Sequence, residues 1–199
     1  FQLLGIDMKI AIIGAGAIGG LVGAKLALAG EDVTFIVRGA NLQAIGANGI
    51  KLVSAEGEEQ VARNVRATDR YDEAGPQDLV ILAMKAHQVE AVADDVAKLF
   101  GPETAVVTMQ NGIPYWYFQK HGGVLEGTTV RSVDPQGVLN TKIPPRRVIG
   151  CVVYPASELI APGVIKHIEG DRFPVGELDG TTTECVERIA ACFANAGFK

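Results

Sequence analysis

The sequence predicts an α/β fold with a mostly parallel sheet that carries an antiparallel extension. Two observations lead to this expectation. Over the first 112 residues, short apolar runs alternate with helical patterns, an order that favours parallel strands joined by crossover helices. From residue 148 to residue 178, extended segments follow one another across Pro, Gly and Asp turns with no helix between them, which favours antiparallel pairing.

The first strand, the glycine loop and the helix after it predict a site for nucleotide phosphates. The apolar run KIAII (residues 9–13) precedes a G-x-G-x-x-G loop, and a helical pattern follows from Ala17 to Ala29. In such a loop Gly14 permits a tight turn, Gly16 lets the backbone approach a pyrophosphate, and Gly19 lets the helix pack on the strand. The phosphates would lie at the helix N-terminus. The predicted phosphate-binding residues are Gly14, Ala15, Gly16, Ala17, Ile18 and Gly19.

A secretion signal or a membrane anchor is the competing interpretation of the same stretch. Lys9 would be the charged flank and residues 10–24 the apolar core. Five glycines interrupt that core, however, and each costs a helix about 1 kcal/mol relative to alanine. The run is also shorter than the roughly 20 residues needed to cross a bilayer. Nucleotide binding is therefore the favoured interpretation.

Composition and charge bound the functional classes. Hydrophobic residues make up 48% of the 199 residues, and the 18 Lys and Arg residues are scattered along a chain of net charge −5. We therefore expect neither a nucleic-acid partner nor a membrane partner. Without C-x-x-C spacing, the cysteines predict no disulfide framework and no metal site, and they fit a cytoplasmic location. These cysteines are Cys151, Cys185 and Cys192.

The later elements follow from the same patterns of apolar periodicity and turn residues. Up to residue 112, the predicted order is a strand (32–39), a short helix (41–49), a hairpin (50–68) turning near 56–59, a strand (79–84), a helix (86–100) and a strand (104–112). Residues 113–147 receive no firm assignment. Three extended segments (148–159, 163–170 and 172–178) form the antiparallel extension. A last helix runs over residues 182–196 and turns four residues inward, Val186, Ile189, Ala190 and Phe193.

The residue that ends the second strand selects the cofactor. An acidic residue there would bind the ribose 2′-hydroxyl of NAD, but the sequence has Arg38. A guanidinium forms a charge-assisted pair with a 2′-phosphate, so we expect NADP; a solvated strand-end arginine is the alternative. Lys85 and Asn111 follow two further strands at the same sheet edge and have the chemistry to stabilise charge on a ketone oxygen. A surface lysine and a turn-forming asparagine are their alternative roles.

Several short motifs, in order, resemble the N-terminal half of the ketopantoate reductase family. They are GAGAIGG, Arg38 closing the second strand, MKAHQV, QNGI, RVIGCVVYPA, PGVIKH and NAGF. The resemblance implies NADPH-dependent reduction of 2-dehydropantoate to pantoate in pantothenate biosynthesis. It implies that Arg38 binds the 2′-phosphate, that Lys85 and Gln88 lie near the nicotinamide, and that Asn111 contacts cofactor and substrate. The backbone of Ala156 would also meet the cofactor.

In that family the catalytic lysine and a glutamate belong to a helical C-terminal domain that begins just after AGF. We therefore expect no catalytic residue in this chain, which would be the cofactor-binding half of a two-domain enzyme. We expect residues 1–7 to be a leader or an expression scar and residues 8–199 to form an NADP-binding domain of Rossmann type.

Two other functions stay open. The chain could serve a reductase of another 2-keto acid, or it could be a non-catalytic module that binds NADP(H). The expected partner is a small 2-keto acid, and a homodimer is one expected assembly. Self-association would use the aromatic run Tyr115, Trp116, Tyr117 and Phe118, which we expect to be exposed.

Overall fold

The computed structural model describes residues 8–199, which form two β-sheets and their surrounding helices. The leader expected at residues 1–7 lies outside the described residues. The strands, in chain order, are β1 (Lys9–Ile13), β2 (Asp32–Ile36), β3 (Ile50–Val53), β4 (Glu59–Ala62), β5 (Val65–Thr68), β6 (Gln77–Leu82), β7 (Phe100–Thr108), β8 (Val148–Cys151), β9 (Ala156–Ala161), β10 (Val164–Glu169) and β11 (Val175–Glu177). The α-helices are α1 (Ala17–Leu28), α2 (Gly39–Asn48), α3 (Tyr71–Ala74), α4 (Ala86–Val89), α5 (Ala93–Val96), α6 (Val138–Lys142) and α7 (Glu184–Asn195).

The main sheet has the strand order β5-β2-β1-β6-β7-β8-β11. The first six strands of this order run parallel, and β11 pairs antiparallel with β8. Counted in chain order, the parallel strands have the 3-2-1-4-5-6 arrangement of the Rossmann fold. The order reverses between β1 and β6, so a ligand crevice is expected outside the carboxyl ends of these strands. The predicted mostly parallel α/β sheet is confirmed.

The apolar runs of the sequence are continuous because both faces of the main sheet are covered. In β1, Ile10 and Ile12 belong to the core on the face that packs against α1, whereas Ala11 and Ile13 belong to the core on the opposite face. None of these four side chains is more than 1% exposed. A strand buried on both faces has no polar alternation, which is why the sequence reads as an unbroken apolar run.

The second sheet corrects one expectation. Of the three extended segments between residues 148 and 178, only β11 extends the main sheet in the antiparallel direction, and β8 is parallel to β7. Strands β9 and β10 instead join the predicted β3–β4 hairpin in a separate sheet of order β4-β3-β10-β9. The link is a parallel pairing of β10 with β3, more than a hundred residues earlier in the chain.

Helix α1 lies between the two sheets, and its glycines make this close packing possible. A Cβ at Gly20 would collide with the side chain of Ile165 in β10, and a Cβ at Gly23 would collide with the ring of Phe35 in β2. The second sheet therefore rests directly on the helix that begins at the glycine loop. Gly20 thus lets α1 pack on the second sheet, and Gly23 lets it pack on the main sheet.

The region after β6 is helical as predicted but is divided into short turns. Helices α4 and α5 alternate with 3₁₀ turns at Glu90–Val92 and Ala97–Leu99, and β7 begins at Phe100. Val89, Val96 and Leu99 are buried in this region, whereas Val92 is only half-buried. The helix is therefore confirmed in place, while the strand after it starts four residues earlier than expected.

Residues 113–147, which had no predicted assignment, consist mainly of turns and α6, and their buried side chains join the core on the face of the main sheet opposite α1. Tyr115 is buried and its hydroxyl donates to the carbonyl of Ile143 at 2.8 Å. The buried carboxylate of Asp134 accepts the N–H groups of Leu139 and Asn140. The expected exposed aromatic run is wrong at Tyr115, and within the run only Tyr117 is exposed.

Helix α7 closes the described chain, and Thr183 caps it by accepting the N–H of Val186. Val186, Ile189 and Phe193 are buried as predicted. Ala190 is exposed, contrary to the prediction, and Cys192 takes the inward position instead. The rings of Phe173, Phe193 and Phe198 pack edge to face in this core.

Candidate functional site

A cleft of about 940 Å³ lies across the carboxyl ends of β1, β2, β5, β6 and β7. This is the crevice that the reversal of strand order predicts. Nine of the predicted site residues line it: Gly14, Ala15, Gly16, Ala17, Ile18, Arg38, Lys85, Gln88 and Asn111.

The glycine loop has the geometry of a phosphate cradle. Gly14 has a φ of +93°, which a residue with a Cβ rarely adopts, and its N–H donates to the carbonyl of Ile36 at 3.1 Å. Gly16 is the N-cap of α1, and no side chain caps this first turn. A Cβ at Gly16 would meet nothing within 4 Å, so the space beside this backbone is open. The free N–H groups of the first turn suit a pyrophosphate.

Gly19 lies beneath the loop and does not line the cleft. A Cβ there would overlap the carbonyl oxygen of Gly14 and would stand 2.8 Å from the Cβ of Ala83. Its lack of a side chain therefore lets α1 approach the loop and the end of β6, as expected for the third glycine of the motif.

Arg38 stands at the N-cap of α2, directly beyond β2, with an exposed side chain. Within residues 8–199 it forms no salt bridge, so its charge is available to a ligand. Two acidic residues lie at the other end of β2, where Asp32 pairs with Arg66 at 3.2 Å and Glu31, just before the strand, accepts the N–H of Met8. Neither carboxylate competes for a ribose near Arg38.

Tyr71 and Asp69 line the cleft on the same side as Arg38. Burial raises the pKa of Tyr71 to about 12, Asp95 adds to this rise, and the Arg38 guanidinium opposes it. The phenol therefore stays protonated at neutral pH. Arg38 is therefore close enough to Tyr71 for its charge to lower the pKa of the phenol.

Lys85 and Gln88 lie at the opposite side of the glycine loop, where β6 turns into α4. The side-chain oxygen of Gln88 accepts the backbone N–H of Lys85 at 3.1 Å, which closes the first turn of the helix. The side chain of Lys85 is exposed and forms no ion pair among the described residues. The turn thus fixes the Lys85 backbone and leaves its ammonium group free to move within the cleft.

Asn111 has a structural task that the sequence did not reveal. Its amide donates to the carbonyl of Val153 at 3.1 Å and accepts the N–H of the same residue at 3.3 Å. This clamp ties the end of β7 to the segment after β8, and one N–H of the amide remains for a ligand. The neighbouring Gln110 donates to the carbonyl of Met84 at 3.0 Å and ties β7 to β6.

Ala156 lies outside the lining of the cleft, at the start of β9 in the second sheet, where it pairs with Glu169. Its contact with a cofactor stays a prediction.

Sequence reasoning missed several residues that line the cleft: Asn41, Asp69, Tyr71, His87, Gln110 and Val153. His87 and Gln110 directly adjoin predicted site residues or lie between them, so their neighbours were the available signal. Asn41 stands three positions after Arg38 in the first turn of α2. Val153 reaches the cleft through its hydrogen bonds with Asn111, and nothing in the sequence around it predicts this position.

Among residues 8–199, no group of three or more His, Cys, Asp or Glu side chains is arranged to hold a metal ion. In the same range, no helix combines the length and the hydropathy that a transmembrane segment requires.

Comparison with known proteins identifies the family of this chain. Residues 10–180 match the model of the family described as ketopantoate reductase PanE/ApbA. The chain belongs to the ketopantoate reductase family. It is 52% identical over 193 residues to a 2-dehydropantoate 2-reductase of Mesorhizobium japonicum, covering 96% of this chain and 59% of that protein. It is 43% identical to a 2-dehydropantoate 2-reductase of Pyrococcus horikoshii, covering 96% of this chain and 55% of that protein.

A crystal structure of a Ralstonia solanacearum protein assigned as a ketopantoate reductase superposes with a TM-score of 0.91 at 43% identity. The superposition covers 96% of this chain and 59% of that one. The chain thus spans little more than half the length of these relatives. The family is one of oxidoreductases, and the matched part is the N-terminal part that forms the Rossmann-type domain.

Proposed function

We propose that this chain binds NADPH and forms the cofactor-binding part of a reductase that converts 2-dehydropantoate to pantoate. The observation that carries the proposal is the cleft itself, in which an open glycine loop and an unpaired arginine stand at the ends of neighbouring parallel strands. The choice of 2-dehydropantoate as the substrate follows from the relatives, which are named 2-dehydropantoate 2-reductases.

The glycine loop fits a pyrophosphate in two ways. The space beside Gly16 admits a ligand up to the backbone, and the uncapped first turn of α1 offers N–H donors at the positive end of the helix dipole. No acidic residue lies in that turn to repel a phosphate.

Arg38 supports NADPH over NADH. Its guanidinium has no carboxylate partner among residues 8–199, and it stands where a ribose 2′-phosphate would lie in this fold. A bidentate guanidinium–phosphate pair is charge-assisted, whereas the 2′-hydroxyl of NADH would give Arg38 only a neutral acceptor.

A bound NADPH would supply the hydride for reduction of the 2-keto group. The residues of this chain would hold the negative charge that develops on the ketone oxygen: the Lys85 ammonium through its charge and the Asn111 amide through its remaining N–H. The product alcohol also requires a proton donor, and the exposed side chains of Lys85, Gln88 and Asn111 leave this end of the cleft open to water.

A turnover assay tests the proposal. We expect the purified chain to bind NADPH but to reduce 2-dehydropantoate slowly, because it spans little more than half the length of its relatives and the Lys85 end of its cleft is exposed to water. The full-length Mesorhizobium relative is the positive control. NADPH oxidation would be followed by absorbance with 2-dehydropantoate and with other 2-keto acids.

Each result separates the alternatives. A chain that does not bind NADPH contradicts the proposal. Faster oxidation with another 2-keto acid favours a reductase of that acid. Turnover at the rate of the relative would show that the catalytic groups lie within this chain. If a version that includes any continuation of the reading frame also fails to turn over, a non-catalytic NADP(H)-binding module is favoured.

A further inference from the structure

The Asn41 side chain bridges two backbone segments that are distant in sequence. Its Nδ2 group donates to the carbonyl of Ala15 in the glycine loop at 3.2 Å. Its Oδ1 atom accepts the N–H of Gly163, 122 residues away, at 3.0 Å. Asn41 is half-buried and lines the cleft, so the bridge lies beside the ligand space.

The far end of the bridge is rigidly held. Gly163 forms the turn between β9 and β10 with a φ of +69°, and its carbonyl accepts the N–H of Lys51 at 2.8 Å. A Cβ at Gly163 would stand 3.3 Å from the Cβ of Ala44, so this turn packs tightly on α2. The second sheet therefore provides a fixed anchor for the Asn41 amide.

The near end of the bridge orients a backbone N–H group that can donate a hydrogen bond to a phosphate. The carbonyl of Ala15 and the N–H of Gly16 belong to one planar trans peptide, so fixing the direction of the carbonyl also fixes the direction of the N–H. Gly16 is the N-cap residue whose side is open to the cleft. By holding the Ala15 carbonyl, Asn41 therefore sets the orientation of the Gly16 N–H.

The side-chain amide of Asn41 satisfies both partners. The bridge needs one N–H donor for a carbonyl and one acceptor for an N–H, which the amide provides and a carboxylate does not. Asn41 also lies three residues after Arg38 on α2, so one helix start presents both the arginine and the bridge.

We propose that Asn41 is a positioning residue that holds the Ala15–Gly16 peptide in the orientation that binds the cofactor pyrophosphate. This role rests on the proposed NADPH function. It gives the second sheet a part in cofactor binding, because the anchor at Gly163 belongs to that sheet.

The test compares two ligands by calorimetric titration. NADPH carries the pyrophosphate, whereas adenosine 2′-monophosphate carries the phosphate for Arg38 without it. Asn41→Ala should weaken NADPH binding about tenfold and should change the affinity for adenosine 2′-monophosphate by less than about twofold. Asn48→Ala, an exposed asparagine at the end of the same helix, is the matched control and should change neither affinity.

If Asn41→Ala does not fold, Asn41→Asp replaces it, since it keeps the shape and the acceptor for Gly163. At about 0.5 M salt, which screens the added charge, Asn41→Asp should weaken NADPH binding by about tenfold. Its affinity for adenosine 2′-monophosphate should again change by less than about twofold. Unchanged NADPH affinity in a folded variant, or equal losses for both ligands, would overturn the positioning role. A wild-type chain without NADPH affinity would instead overturn the proposed function, and this role with it.

Discussion

The two ends of the cleft are built differently. At the glycine-loop end, formed by residues 14–18, Arg38 and Asn41, backbone groups are held by the Gly14–Ile36 hydrogen bond and the Asn41 bridge. At the Lys85 end, formed by Lys85, Gln88 and Asn111, the three side chains are exposed. The first end is preorganised to bind phosphates, and the second is open to water. Binding and catalysis therefore make different demands on this chain.

The largest effect is expected from filling the open space at the glycine-loop end. Gly16→Val places a branched side chain where the pyrophosphate would lie, so we expect NADPH binding to fall below detection while circular dichroism shows a native fold. Gly46→Val is the matched control, because Gly46 is an exposed α2 glycine whose Cβ would also meet nothing within 4 Å. NADPH binding by a folded Gly16→Val variant at wild-type affinity would remove the basis of the comparison.

A smaller effect is expected at the Lys85 end. Asn111→Ala breaks the clamp on Val153, so the free energy of unfolding should fall by about 1 kcal/mol and NADPH affinity by less than about tenfold. Asn195→Ala, at the exposed end of α7, is the control and should leave both quantities unchanged. Thermal and chemical denaturation with parallel titrations would measure them. A loss of affinity as complete as that of Gly16→Val would show that both ends are equally important for binding.

The smallest effect at neutral pH is electrostatic and concerns Tyr71 beside Arg38. Burial raises the pKa of Tyr71 from 10.0 to about 12, so the unfolded chain ionises this phenol first as pH rises. Its contribution to stability is complete below pH 10 and is lost between pH 10 and about 12. Tyr71→Phe should therefore make the alkaline fall in unfolding free energy shallower. Identical pH profiles for wild type and Tyr71→Phe would contradict this assignment.

The Rossmann core could be predicted because its signals are local. The apolar run at 9–13, the glycine loop and the helix after it are contiguous, and strands buried on both faces need no long-range information to be recognised. Arg38 and Lys85 were found by the same logic, since Arg38 ends a predicted strand and Lys85 directly follows one. The structure brings both into one cleft with the loop.

The second sheet could not be predicted because its pairing is not local. The β3–β4 hairpin was visible in the sequence, but the parallel register of Val164 with Lys51 joins segments separated by more than a hundred residues. Long separation along the chain also hid the hydrogen bond between Asn41 and Gly163, 122 residues apart, and the clamp between Asn111 and Val153, 42 residues apart. Tyr115 was expected on the surface because no local signal in the sequence indicates that its hydroxyl donates to the carbonyl of Ile143, 28 residues later.

The measurement that tests the central claim most directly is the titration of wild type and Arg38→Ala with NADPH and with NADH. The account predicts that the variant loses about 10- to 100-fold in NADPH affinity, as expected for removal of a charge-assisted contact, and almost nothing for NADH. Wild type should accordingly prefer NADPH. Equal losses for the two cofactors would show that Arg38 is structural and that the cleft does not select the 2′-phosphate.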